Sequence, residues 1–159
     1  QADANKIEAI QKAKTLEEEK TRALDAITTD KVKSGEQQPE SDHFVQSKDS
    51  NTGYAEDLHF RDAKGWFSYQ LINKNKSSKY IYVTYFDAQK NRNLNIELNE
   101  NNIFSKTLEG KLGANLQYVV IPIPESEKSK EILNIKFTAS EKSTTAQIVE
   151  VRLLNQEFK

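Results

Sequence analysis

The chain has 159 residues, 36% of them hydrophobic and 30% charged, with no cysteine and no methionine, a length that suits one domain. No run approaches the roughly 20 apolar residues that a bilayer-spanning helix needs, and without cysteine there is neither a disulfide framework nor a thiolate metal site. With 23 Lys and Arg against 24 Asp and Glu, the net charge gives no electrostatic reason to expect a nucleic-acid partner.

Up to Ile27 the sequence consists of good helix formers, with apolar side chains at Ile7, Ile10, Ala13, Leu16, Ala23, Leu24 and Ile27 at close to helical spacing. We read one helix from Asp3 to Ala26, within an N-terminal unit of residues 1–27. Its apolar stripe is narrow, because Glu17-Glu18-Glu19-Lys20 is solvated, so it must lean on something to persist. A start at Gln1 rather than Met leads us to expect that upstream sequence has been removed. From 28 to 41 periodicity is lost and Gly35, Gln37, Gln38 and Pro39 gather, the composition of a linker.

Residues 42–159 are expected to form the packed domain, since all 14 aromatic residues lie at or after Phe44. There the period changes to two, in short runs separated by Asn, Asp, Gly, Ser and Lys. Eight strands are predicted: His43 to Gln46, Gly65 to Ile72, Lys79 to Phe86, Leu94 to Leu98, Ile103 to Leu108, Leu116 to Ile121, Ile132 to Ala139 and Ala146 to Leu154. Both alternating sets of Lys79 to Phe86 are largely apolar, so both of its faces should be covered. Leu94, Ile96 and Leu98, then Leu133, Ile135 and Phe137, then Val149, Val151 and Leu153 alternate with polar residues, as in half-exposed strands. Asn99-Glu100-Asn101-Asn102 suits a hairpin loop, and Pro122 and Pro124 place the strand before them at an edge. No helical segment interrupts the strands, which argues against a parallel sheet. The predicted fold is mainly β, an antiparallel jelly-roll-like β-sandwich preceded by an N-terminal α-helix.

Chemistry-bearing patterns are sparse. His43 and His59 have no metal-ligand spacing, no glycine pattern cradles a phosphate, and no nucleophile elbow is present. Asp57, Asp62 and Asp87 are acids near aromatics, but nothing in the sequence pairs them across a cleft. Asp49, Asn51 and Asp57 carry oxygen ligands of the kind calcium takes, and an Asx-turn segment is the preferred reading. No cofactor or metal is expected.

The stretch from His59 to Tyr69 carries the most information. Arg61 and Asp62 supply a planar donor and a carboxylate, and Trp66 and Tyr69 supply flat rings, the ingredients of sugar recognition. They are equally the ingredients of a core Trp and a loop-pinning ion pair, and on residue types alone the structural reading is favoured. His59, Arg61, Asp62, Trp66 and Tyr69 are the candidate carbohydrate-binding set.

Gly35-Glu36-Gln37-Gln38-Pro39-Glu40, Asp42-His43-Phe44, Ser50-Asn51-Thr52-Gly53, His59-Phe60-Arg61-Asp62-Ala63 and Gly65-Trp66-Phe67-Ser68-Tyr69 form an ordered set of motifs. Val83-Thr84-Tyr85, Leu94 to Leu98, Ile121-Pro122-Ile123-Pro124-Glu125 and Val151-Arg152-Leu153-Leu154 follow in order. Together, over roughly Ala23 to Leu154, they resemble the C-terminal β-sandwich region of bacterial β-L-arabinofuranosidase-type glycoside hydrolases of plant-polysaccharide-degrading gut bacteria. Phe86-Asp87 stands where that family tends to have Trp-Gly, and Ser143-Thr144-Thr145 where it tends to have glycines. The resemblance implies a noncatalytic accessory domain, secreted or periplasmic, with a glycan ligand and an upstream catalytic domain. It also implies that the family's catalytic cysteines and zinc-associated glutamate have no counterpart in this cysteine-free chain. A free-standing carbohydrate-binding module is the alternative, and exposure of Trp66 would separate the two.

Overall fold

The structure is a computed structural model that describes residues 15–16, 18–87, 89–110 and 116–158. The predicted helix therefore lies partly outside the described residues, which are helical at 15–16 and at 18–27, here α1. Strand β1 (Thr28–Lys33), helix α2 (Gln37–Asp42) and strands β2 (Gln46–Ala55), β3 (Leu58–Ile72), β4 (Tyr80–Phe86) and β5 (Asn93–Leu98) follow. Strands β6 (Asn101–Thr107), β7 (Leu116–Pro122), β8 (Ile132–Thr138) and β9 (Gln147–Leu154) complete the fold.

Hydrogen bonding arranges the strands as two antiparallel layers, β2-β3-β8-β5-β6 and β1-β9-β4-β7, joined by one residue pair, Arg61 with Ile148. Their inner faces share one core. Phe67, Tyr69, Leu71, Leu133, Ile135, Phe137, Leu94, Ile96 and Leu98 from the first layer meet Ile81, Val83, Tyr85, Ile121, Val151 and Leu153 from the second. The Phe67 and Phe137 rings stack at 5.0 Å. Each such aromatic contributes about 1.5–3 kcal/mol by burial. The fold is the expected mainly β, sandwich-like architecture with an N-terminal helix.

Four sequence expectations change. Strand β3 begins at Leu58 rather than Gly65 and pairs with β2, so Asp49 and Asn51, read as an Asx-turn segment, lie in a strand. The irregular connector over 28–41 instead holds β1, hydrogen-bonded along β9, and α2, whose Pro39 sits in its first turn, where no amide hydrogen is needed. The strand expected from His43 starts later, at Gln46, because residues 43–44 form a turn. Arg152, placed on a half-exposed face, is buried, because α1 lies over that face: Leu24 and Ile27 pack against Tyr82 and Leu154. The prediction that both faces of Lys79 to Phe86 are covered holds for this reason.

Turn chemistry is visible at two hairpins. Asn99 and Glu100 join β5 to β6 with φ of 48° and 75°, and Glu56 and Asp57 join β2 to β3 with φ of 49° and 64°. Positive φ at both central residues matches the strands' right-handed twist. Strand β7 pairs with β4 alone and ends at Pro122, the edge position that its proline dictates.

Candidate functional site

The five sequence candidates all stand on β3, and the structure divides them. Arg61 donates from Nε and Nη2 to the Glu40 carboxylate at 2.7 and 2.9 Å and from Nη1 to Ser50 at 2.6 Å. The Tyr69 hydroxyl donates to the same carboxylate and lies 3.0 Å from the Ser34 hydroxyl. Burial acts to raise the Glu40 pKa, but hydrogen bonds from Arg61, Tyr69 and the Gly35 amide outweigh it and leave the group below its ordinary value. Burial, reinforced by the Glu40 charge, pushes the Tyr69 phenol well above its own. Tyr69 is 0% exposed, so its ring offers no platform to a ligand.

Asp62 turns away to Arg92, 2.8 Å from its Nη1. Trp66 is half-buried on the outward side of the first layer, with Lys136 Nζ 4.5 Å from its ring centroid. His59 is exposed, its ring 4.8 Å from that of Tyr54. Among the acids, Asp57 occupies the β2–β3 turn and Asp87 accepts the Gly110 amide at 3.0 Å, so neither joins Asp62. Among the described residues, no three His, Asp or Glu side chains converge to hold a metal ion.

His59 instead borders a feature that the sequence did not announce, a trough of about 730 Å³ across the outer face of the second layer. Its floor follows from the strand register: Lys33 opposes Glu150, Glu150 opposes Thr84, and Thr84 opposes Tyr118. Lys20, Thr21 and Leu24 of α1 line it, as do Glu36, Leu58 and His59, together with Phe158 near the C-terminus. Over about three strand spacings the floor spans roughly 14 Å.

An aromatic cluster lies at the β7 end. The Tyr82 and Tyr118 rings stack at 5.1 Å and 20°, and the Phe158 ring stands nearly perpendicular to both. Tyr82 is buried beneath, whereas Tyr118 is 54% exposed, so the stack presents a pre-oriented face to solvent. Two polar groups of the floor, Arg152 and Glu150, are held by hydrogen bonds. Arg152 Nε donates to Glu150, and Nη1 donates to Asp25 at 2.5 Å and to the Thr28 hydroxyl at 3.1 Å. Burial opposes the Arg152 charge, but bonds to Asp25 and Glu150 hold its pKa above the ordinary guanidinium value. The one sequence signal that could have pointed to this face is the alternation of Tyr80 and Tyr82 along a single strand; the pairing of that strand with β7 was not readable. Nothing in the sequence placed β1 beside them.

The sequence matches, over residues 23–154, the family described as a family of unknown function, DUF6805. The chain belongs to this family. No curated protein matches the DUF6805 chain by sequence. In fold it is similar to an exo-β-1,3-galactanase from Phanerochaete chrysosporium, with a TM-score of 0.56 at 9% identity over 77% of this chain and 28% of that one. It is also similar to a family 35 carbohydrate binding module from Clostridium thermocellum, with a TM-score of 0.51 at 12% identity over 79% of this chain and 98% of the module. The extracellular domain of ANXUR1 from Arabidopsis thaliana gives 0.53 at 14% identity, over 79% and 42%. At these identities the likeness is one of fold. The DUF6805 chain thus spans under a third of the galactanase and nearly all of the binding module.

Proposed function

We propose that this DUF6805 chain is a noncatalytic, carbohydrate-associated β-sandwich module that holds a glycan in the trough beneath α1. The observation that carries the reading is the Tyr118 ring, held flat on Tyr82 and left open beside a floor of Thr84, Glu150 and Lys33. An aromatic face with hydroxyl, carboxylate and amine groups beside it is what a sugar ring needs, since one pyranose or furanose face is apolar and its rim is polar. The motif resemblance supports the finer reading, an accessory domain of a secreted or periplasmic β-L-arabinofuranosidase-type hydrolase acting on plant-type glycans, with its catalytic part upstream. A free-standing binding module is the second reading, and the fold likeness to the family 35 module fits a binding module under either reading.

Affinity electrophoresis through gels containing soluble arabinan or galactan tests the trough. The wild type is expected to be retarded, and Tyr118→Ala to weaken binding about tenfold or more through loss of the stacking area, without release of sugar by either protein. Equal migration of the two proteins in every gel overturns the proposal.

A further inference from the structure

We infer that the outward face of the β2-β3-β8-β5-β6 layer is a second glycan surface, built around Trp66 and suited to carboxylate-bearing sugars of the uronate type. The inference rests on the carbohydrate-associated reading above but not on the trough, which lies on the other layer.

Phe67, Tyr69 and Leu71 of β3 point into the core, so Trp66 faces outward among them. Lys48 of β2 is its direct cross-strand partner, and Lys136 of β8 lies diagonally, one pair along. Neither ammonium enters an ion pair among the described residues. The choice made by Lys136 is informative. Glu97 of β5 is its direct partner in the register, yet the ammonium lies 4.5 Å over the indole instead. A cation held by a ring quadrupole keeps its donors available to an anion, whereas an ion-paired one would have to exchange partners first.

The same row continues from Trp66 through Thr138 to Asn95; the next holds Ser68, Lys136 and Glu97, and the one after pairs Gln70 with Asn134. Thr138, Asn95, Gln70 and Asn134 are partly exposed and carry hydroxyl or amide groups, which match sugar hydroxyls as both donors and acceptors. A ring with the Lys136 ammonium over it and Lys48 on the neighbouring strand, set against the single carboxylate of Glu97, favours a sugar with a carboxylate at its edge over a neutral one. The interaction is expected to weaken with added salt, because both lysines lie near solvent.

The test compares the wild type with Trp66→Ala, Lys136→Gln and Tyr118→Ala in gels containing polygalacturonate or neutral galactan, with thermal melts confirming that each variant is folded. Polygalacturonate should retard the wild type and Tyr118→Ala equally, with binding about tenfold weaker in Lys136→Gln and Trp66→Ala. Trp66→Phe, which restores a ring, should recover most of the loss. Binding to galactan but not to polygalacturonate overturns this inference and leaves the trough proposal standing. Polygalacturonate binding that survives in Lys136→Gln and Trp66→Ala also overturns it, as does absence of polygalacturonate binding by the wild type; the trough proposal falls with it only where galactan and arabinan gels also fail to retard the wild type.

Discussion

Glu40 is only 4% exposed, and a carboxylate so placed persists because β3 and the turn after β1 together supply every partner it needs. Arg61 and Tyr69 come from β3, and the Gly35 amide comes from the turn after β1. Glu40→Gln keeps the shape but leaves the Arg61 guanidinium without its counter-charge. Since breaking a buried pair from one side is costly, the variant should lose about 3 kcal/mol in urea denaturation. A loss below about 1 kcal/mol would show that Arg61 finds solvent instead. The same cluster shows why the sequence could not name the partner of Arg61 and Tyr69. Arg61 and Tyr69 look like ligand groups by type, but the residue that employs them, Glu40, lies in a segment whose composition spelled linker.

At the scale of elements, the legible strands were those that bury one side of themselves. Leu94, Ile96 and Leu98, like Leu133, Ile135 and Phe137, are all at most 1% exposed, and their alternation with polar neighbours gave both strands. Strands β1 and β2 were not legible because they bring few apolar side chains to the core and are held by backbone bonds. In β1 only Val32 is fully buried, and in β2 no residue is, so neither carries a period of two. The β2–β3 hairpin was hidden by its turn, since Glu56 and Asp57 occupy positions where Asn-Gly is the usual signature. Asp57→Gly should therefore stabilise the fold by about 0.5–1 kcal/mol, relief of the φ of 64° outweighing loss of the 3.3 Å bond from the Tyr54 hydroxyl. Guanidinium denaturation checks this, and a destabilised variant would contradict the turn's strain. The trough was beyond sequence reading for a related reason: it needs β1, β9, β4 and β7 side by side, an order unrelated to their order in the chain.

Across the whole molecule, the two layers are clasped by Asp30 and His43. Asp30 of β1 takes His43 Nε2 at 2.9 Å on one oxygen and the amide of Ile72, at the end of β3, at 2.7 Å on the other. The His43 Nδ1 lies 2.7 Å from the Pro39 carbonyl, so both ring nitrogens face acceptors and the imidazolium is favoured. The bond to Asp30 raises the His43 pKa, and for Asp30 burial is outweighed by the bonds from His43 and Ile72, which lower it. The His43 contribution is complete below its ordinary value of 6.5 and fades as pH rises through the raised one. That of Asp30 is complete above 3.8 and fades as pH falls through the lowered one. Thermal melts should peak between these values, and His43→Gln should flatten the alkaline limb; an unchanged limb would remove His43 from the account.

The margins of the layers have a consequence for how copies of this chain meet one another. A sheet margin with unsatisfied amides invites another chain to add on, and lysines or prolines there discourage it. Strands β1, β2 and β6 carry Lys31, Lys33, Lys48 and Lys106, and β1 and β2 are mostly polar besides, so the plainness that concealed β1 and β2 from pattern reading also makes them poor templates for fibril growth. Among the described strands, β7 is the apolar margin, with Leu116 and Tyr118 exposed, and its Pro122 interrupts any ladder laid along it. Self-assembly, where it begins, would begin at β7, and an occupant seated over Tyr118 would shield the chain from it.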